Sequence, residues 1–163
     1  KKKKYNKSKI NFYKGEKKMI IELIQKDDDY YEIKDLVNDL KKNPKVDDSG
    51  AIFTFEGFVR GNEENKIVEK LIQTTPDKEK AKKEMEEIAK TEKIKYGVYQ
   101  INLVHFVGEF YTGDPLFLVA VLEPHRTETL DALKEVIERV KFDIDFKKEE
   151  ISNEGTKIIQ AGG

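Results

Sequence analysis

The chain has 163 residues, 39% of them charged and 37% apolar, which suits a single domain with its own core and a heavily hydrated surface. A formal net charge of −1 gives no whole-molecule attraction for nucleic acid or an anionic membrane, so an anion would have to be held by a local cluster of basic side chains. The absence of cysteine excludes disulfides, thiolate metal sites and cysteine nucleophiles, and no apolar run approaches the roughly 18 residues of a membrane helix, so the expected location is the cytoplasm.

Residues 1–18 carry Lys1–Lys4, Lys7, Lys9, Lys14, Lys17 and Lys18 and read as a basic flexible extension ahead of a domain spanning 19–160. Met19–Ile24 is a short apolar strand, and Asp27–Asp29 supply acidic residues to the start of a helix. On that helix Ile33, Leu36, Val37 and Leu40 fall on one face, and Asn43-Pro44 ends it. Ala51–Val59 alternates as a strand, with Ile52, Thr54, Glu56, Phe58 and Arg60 facing one way and Phe53, Phe55, Gly57 and Val59 the other. After a strand at Lys66–Thr74, Thr75-Pro76 starts a helix lined by Ala81, Met85, Ile88 and Ala89. Tyr96–Phe110 holds two strands or one bent strand, with Gly108 at the bend. Thr112-Gly113-Asp114 is a turn, and the apolar run Leu116–Leu122 is a strand buried on both faces. Thr127 caps a further helix with the stripe Leu130, Leu133, Val136, Ile137 and Val140; Ile144–Ile151 and Thr156–Gln160 are the last strands. This order predicts an α+β fold, a mostly antiparallel sheet with flanking helices.

Several basic residues stand where chemistry is feasible, and each also has an ordinary surface role. Arg60 ends a Phe-rich strand and presents a five-donor fork to a loop, or else makes a surface ion pair. His125-Arg126 leaves a buried strand just ahead of a helix N-terminus, a place that suits phosphates and carboxylates. Lys141 flanks the apolar stripe of its helix, either as a cation near the helix C-terminus or as an acid, base or nucleophile of lowered pKa. Lys148 shares a strand face with Ile144 and Phe146, where a charge marks either a site or the meeting of sheet edge and solvent. His105 and His125 are too few and wrongly spaced for a metal centre, and there is no glycine-rich phosphate loop, so neither metal nor cofactor is expected.

Three segments carry a resemblance. GAIFTFEGFVRG at 50–61, HFVGEFYTGD at 105–114 and EPHRTETLDALKEVIERVKFDIDFKKEE at 123–150 together resemble the large, catalytic subunit family of molybdopterin synthase, over about residues 20–155. The resemblance implies an α/β hammerhead fold and a homodimer that binds a small ubiquitin-like sulfur carrier at each end. It implies a sulfurtransferase that converts cyclic pyranopterin monophosphate to molybdopterin. The sulfur of the dithiolene would come from the thiocarboxylated C-terminal glycine of the carrier, which agrees with a chain lacking cysteine. Carried over by motif, Lys141 and Lys148 do the chemistry, and Arg60, His125 and Arg126 bind the anion. Phe58, Val59, Lys147, Glu149 and Glu150 join them in the substrate site.

The chain departs from the family at named positions. Phe58 stands where the family commonly has Lys, Phe106 where it often has Arg, and Lys147 where an aromatic often precedes the second lysine. A one-residue gap would match Phe146-Lys147 to that aromatic-Lys pair, making Lys147 a rival to Lys148. A non-catalytic, dimeric binding module for the carrier is the alternative implied by these changes. Single-stranded nucleic-acid binding through the Lys-rich extension is a third reading, opposed by the net charge. The closing Ala161-Gly162-Gly163 reads as a flexible tail.

Overall fold

The computed structural model describes residues 17–159, so the first sixteen residues and the closing Gly-Gly segment lie outside the described part. Eight strands and three α-helices follow in the order β1 (Ile21–Gln25), α1 (Ile33–Leu40), β2 (Ala51–Phe58), β3 (Asn62–Glu63), β4 (Lys66–Thr74), α2 (Lys78–Tyr96), β5 (Gln100–Phe110), β6 (Pro115–Glu123), α3 (Arg126–Asp143), β7 (Lys147–Ser152) and β8 (Gly155–Ile159). The fold is the expected α+β hammerhead. The strand order is β2-β6-β5-β4-β7-β8, antiparallel throughout except that β1 lies parallel to β5, with β3 paired to β4.

Both faces of the central strands are covered, which explains the unbroken apolar run of β6. Ile101, Leu103, Phe117, Val119 and Val121 face α2 and α3, against Met85, Ile88, Val136 and Val140. The alternate residues Val104, Phe106, Leu118, Ala120 and Leu122 face Leu36 and Leu40 of α1. Such alternation is what a strand with a period of two must show when each face meets a helix. Two ion pairs, Lys95–Glu135 at 2.8 Å and Arg139–Glu92 at 2.9 Å, join α2 to α3. On the other face a buried amide cluster fixes α1. Asn102 donates to the Leu36 carbonyl at 3.1 Å and to Asp39 at 3.0 Å, and it accepts from the Ile20 amide at 2.8 Å. Among the described residues no helix is long and apolar enough to cross a membrane.

The helix starts differ from those read in the sequence. Glu32, not the Asp27–Asp29 run, is the N-cap of α1, and its backbone amide donates to Asp35. Helix α2 starts after Asp77, whose carboxylate accepts from the Lys80 amide at 3.0 Å, because Asp at an N-cap satisfies a helix-end donor that Pro76 cannot. Helix α3 begins at Arg126 with His125 at the N-cap, so Thr127 is already helical, and Leu130 is 53% exposed rather than part of the stripe.

Of the expected Tyr96–Phe110 stretch, Tyr96 ends α2 and Gln100–Phe110 forms one long strand, β5, that changes partners along its length. Gln100–His105 pairs with β6, and Leu103–Val107 pairs with β1. Only Gly108–Phe110 pairs with β4. The change falls at Gly108, where φ is +130°, and a Cβ there would lie 2.7 Å from the Gln25 side chain and 3.3 Å from Lys26. Gly108→Ala should therefore destabilise the domain by about 1–3 kcal/mol, read as a shift in the urea unfolding midpoint without loss of cooperativity. An unchanged midpoint would mean that the strand does not need glycine to turn.

Candidate functional site

Beyond Gly108 β5 pairs with β4, and β4 pairs in turn with β7. Residues two apart on a strand share a face. On β4 that face carries Leu71 and Gln73, and on β7 it carries Lys148 and Glu150, with Leu71 opposite Glu150 and Gln73 opposite Lys148. Leu71, Lys148 and Glu150 line a cavity of about 250 Å³ together with Phe58, Val59 and Arg60.

The segment after β2 is set there by a register shift between Gly57 and Phe58. Val59 is then held by its amide donating to the Asp114 carbonyl at 3.0 Å and its carbonyl accepting from Gly113 at 2.9 Å. Its neighbours Phe58 and Arg60 are exposed, and Arg60 reaches Glu63 at 3.2 Å. Glu150 is buried, and the Lys66 ammonium lies 2.5 Å from it. That hydrogen bond holds the Glu150 carboxyl below, and the Lys66 ammonium above, its ordinary pKa.

Lys141 approaches from the last turn of α3, with its ammonium 5.6 Å from the centre of the Phe55 ring. Phe55 meets Phe117 edge to face at 5.9 Å, Phe117 lies 5.1 Å from the His105 ring, and His105 stacks on Phe146 at 4.2 Å. This row of rings is the floor between the two lysines. Burial, then the charge of Lys141, holds the Lys148 ammonium below the usual lysine pKa. Burial also pushes His105 down to about 3, with Lys148 and Lys141 adding to it against the hydrogen bond to the Phe106 carbonyl. His105 is thus neutral, and two partly buried cations share an aromatic-floored corner.

Five of the ten residues expected to bind substrate, Phe58, Val59, Arg60, Lys148 and Glu150, line one cavity, and Lys141 adjoins Lys148. Lys147 is exposed and lies 3.0 Å from Glu149, whereas Lys148 lines the cavity, with Lys157 of β8 also in its wall. His125 and Arg126 are elsewhere. Both are exposed and follow Glu123, which pairs with Ala51, whereas Phe58 pairs with Pro115 at the other end of β6. At about 3.3 Å per residue the two ends are roughly 25 Å apart, so one chain does not gather all five basic residues into a single site. Phe106 is in the core facing α1, so no basic group takes its place at the cavity.

The sequence reading missed Gln73 and His105. Gln73 is 1% exposed and lies 3.3 Å from the His105 ring, whose other nitrogen is 3.0 Å from the Phe106 carbonyl. The available signal was a glutamine in step with Leu71 on the apolar face of a strand.

Because the folded chain keeps His105 neutral down to about pH 3, whereas a free histidine takes up its proton near 6.5, the unfolded state binds an extra proton between these values. Stability from this residue is therefore present above pH 6.5 and declines as the pH falls toward 3, by at most about 1.4 kcal/mol per pH unit. His105→Asn should flatten that part of the stability-versus-pH curve measured by urea unfolding. An identical acid limb in variant and parent would contradict the buried neutral ring.

Comparison with known proteins adds to this geometry. The family profile described as "MoaE protein" matches residues 26–143. A protein of Pyrococcus abyssi named molybdopterin synthase catalytic subunit is 33% identical over 112 residues, covering 69% of this chain and 75% of that protein. The crystal structure of molybdopterin synthase from Staphylococcus aureus superposes with a TM-score of 0.74 at 25% identity, covering 86% of this chain and 96% of that one. A chain from a complex of subunits 1 and 2 of the molybdopterin-converting factor of Helicobacter pylori shares the fold, with a TM-score of 0.63 at 21% identity over 87% and 90% of the two chains.

Proposed function

The chain belongs to the MoaE family of molybdopterin synthase catalytic subunits, and we propose that it builds the dithiolene of molybdopterin on a cyclic pyranopterin monophosphate, using sulfur from the thiocarboxylated C-terminal glycine of a small ubiquitin-like subunit. The observation that carries this reading is the pair Lys141 and Lys148 above a neutral aromatic floor, beside the cavity that Arg60 shares with Lys148.

The chemistry requires an anion site, a donor for developing oxyanions and a group able to exchange protons near neutral pH. Arg60 offers the bidentate fork that suits a phosphate. Lys148, with its lowered pKa, can give up a proton more readily than a solvated lysine, and Lys141 stabilises negative charge developing beside it. The chain contains no cysteine, so the sulfur arrives on the partner. Phe58 puts an aromatic surface at the cavity where the family commonly has a cation, which suits a flat pterin ring and leaves charge recognition to Arg60 and Lys148.

The placement of His125 and Arg126 supports a homodimer in which these residues reach the cavity of the second copy. They are exposed, beside a helix N-terminus suited to anions, and too distant to serve the cavity of their own chain. The cytoplasmic location expected from the sequence goes with this reading.

In a purified system with thiocarboxylated carrier and pyranopterin monophosphate, the Lys141→Ala, Lys148→Ala double variant should lose dithiolene formation by about 100-fold or more. Full activity in that variant would overturn the assignment. Mixing Lys148→Ala chains with Arg126→Ala chains should restore part of the activity, because hybrid dimers carry one intact site. No recovery, with subunit exchange verified, would contradict the shared site.

A further inference from the structure

Gln73 is almost wholly buried, and its side-chain oxygen has no hydrogen-bond partner among the described residues. A buried carbonyl oxygen without a donor is uncommon and calls for a reason. Its surroundings identify which way it faces. The Nδ1 of His105 lies 3.0 Å from the Phe106 carbonyl oxygen, which can only accept, so Nδ1 carries the proton of the neutral ring. The Nε2 of His105 is then an acceptor, and the Gln73 amide nitrogen, 3.3 Å away, must be the group that donates to it. A flipped amide would set two lone pairs against each other. The Gln73 oxygen is therefore turned away from His105.

The His105 ring cannot rotate out of this arrangement, because Phe146 stacks on it at 4.2 Å with planes 11° apart and Phe117 packs at 5.1 Å. In the strand register Gln73 stands directly opposite Lys148, so the two side chains leave the same face side by side. That face is continuous with the cavity wall formed by Leu71, Lys148 and Glu150.

We propose that Gln73, oriented by His105, is a positioning residue for the Lys148 ammonium, its free oxygen being the acceptor that takes one N–H of Lys148 when substrate is engaged. This deepens the sulfur-transfer reading and rests on it for the role of Lys148. A neutral acceptor suits the task. It fixes one N–H and leaves the others for an oxyanion, and it adds no counter-charge of the kind Lys66 gives Glu150. Lys141 from α3 acts on Lys148 electrostatically, and the charged groups that line the cavity with it are Arg60 after β2, Glu63 from β3, Lys157 from β8 and Glu150 on its own strand, with His105 neutral nearby. Gln73 is an uncharged polar group opposite Lys148 on the adjacent strand.

The test is the titration of Lys148 itself with cyclic pyranopterin monophosphate bound and no carrier present, followed by NMR on full-length chain labelled at lysine Cε and assigned with Lys148→Arg. Gln73→Leu removes the acceptor and should lower the midpoint by about one pH unit, and Gln73→Glu, nearly isosteric, should raise it by at least as much. The pH profile of dithiolene formation should move in the same two directions. A midpoint unmoved in Gln73→Leu overturns the proposal. If that variant does not fold, a midpoint unmoved in Gln73→Glu overturns it. Opposite shifts in a chain that forms no dithiolene would uphold the positioning role and reject the sulfur-transfer reading instead.

Discussion

The site depends on one backbone constraint, the turn of β5 at Gly108. Up to that residue β5 is a central strand with β6 on one side and β1 on the other; beyond it the strand pairs with β4. Only a residue without a side chain fits at φ +130° against Gln25 and Lys26. The consequence is geometric. Strand β4 pairs with β7, and β7 places Lys148 close enough to Lys141, at the end of α3, for the two charges to act on each other.

Two like charges held close together cost free energy, and the surrounding structure shows how they are accommodated. The aromatic row Phe55, Phe117, His105 and Phe146 packs firmly beneath them without introducing a carboxylate that would neutralise them. The buried carboxylate of the cavity wall, Glu150, is already engaged by Lys66. The electrostatics thus favour a bound anion, which would relieve the repulsion between Lys141 and Lys148, and the lowered pKa of Lys148 reflects its burial first and that repulsion second. The same low-dielectric corner that penalises the unliganded cations strengthens their grip on a phosphate or an oxyanion.

Much of the fold was legible in the sequence because the signals were periodic. The alternation of Ala51–Val59, the unbroken apolar run of β6 and the stripes of α1 and α2 each reported a local requirement, and each has its predicted burial. Helix starts were less legible, since Asp27–Asp29 and Asp77 carry the same N-cap chemistry and only the tertiary path decides which is used. At the site, the spacing of Arg60, Lys141 and Lys148 was readable through family resemblance, and the cavity gathers Arg60 and Lys148 with Lys141 beside them. Gln73 and His105 were not readable, because the contact between them depends on the pairing of β4 with β5 beyond Gly108, which no periodicity encodes. His125 and Arg126 were grouped with the others because motif order carries no distance; the length of β6 separates them.

The central claim is that this chain uses the cationic cavity to place sulfur on a pyranopterin. The most direct measurement is a single-turnover reaction of the purified full-length chain with 34S-labelled carrier thiocarboxylate and cyclic pyranopterin monophosphate, followed by mass spectrometry of the pterin. Incorporation of two labelled sulfur atoms per pterin, dependent on the chain, is the predicted result. Carrier binding with no labelled sulfur in the pterin would contradict the account and leave a binding module in its place.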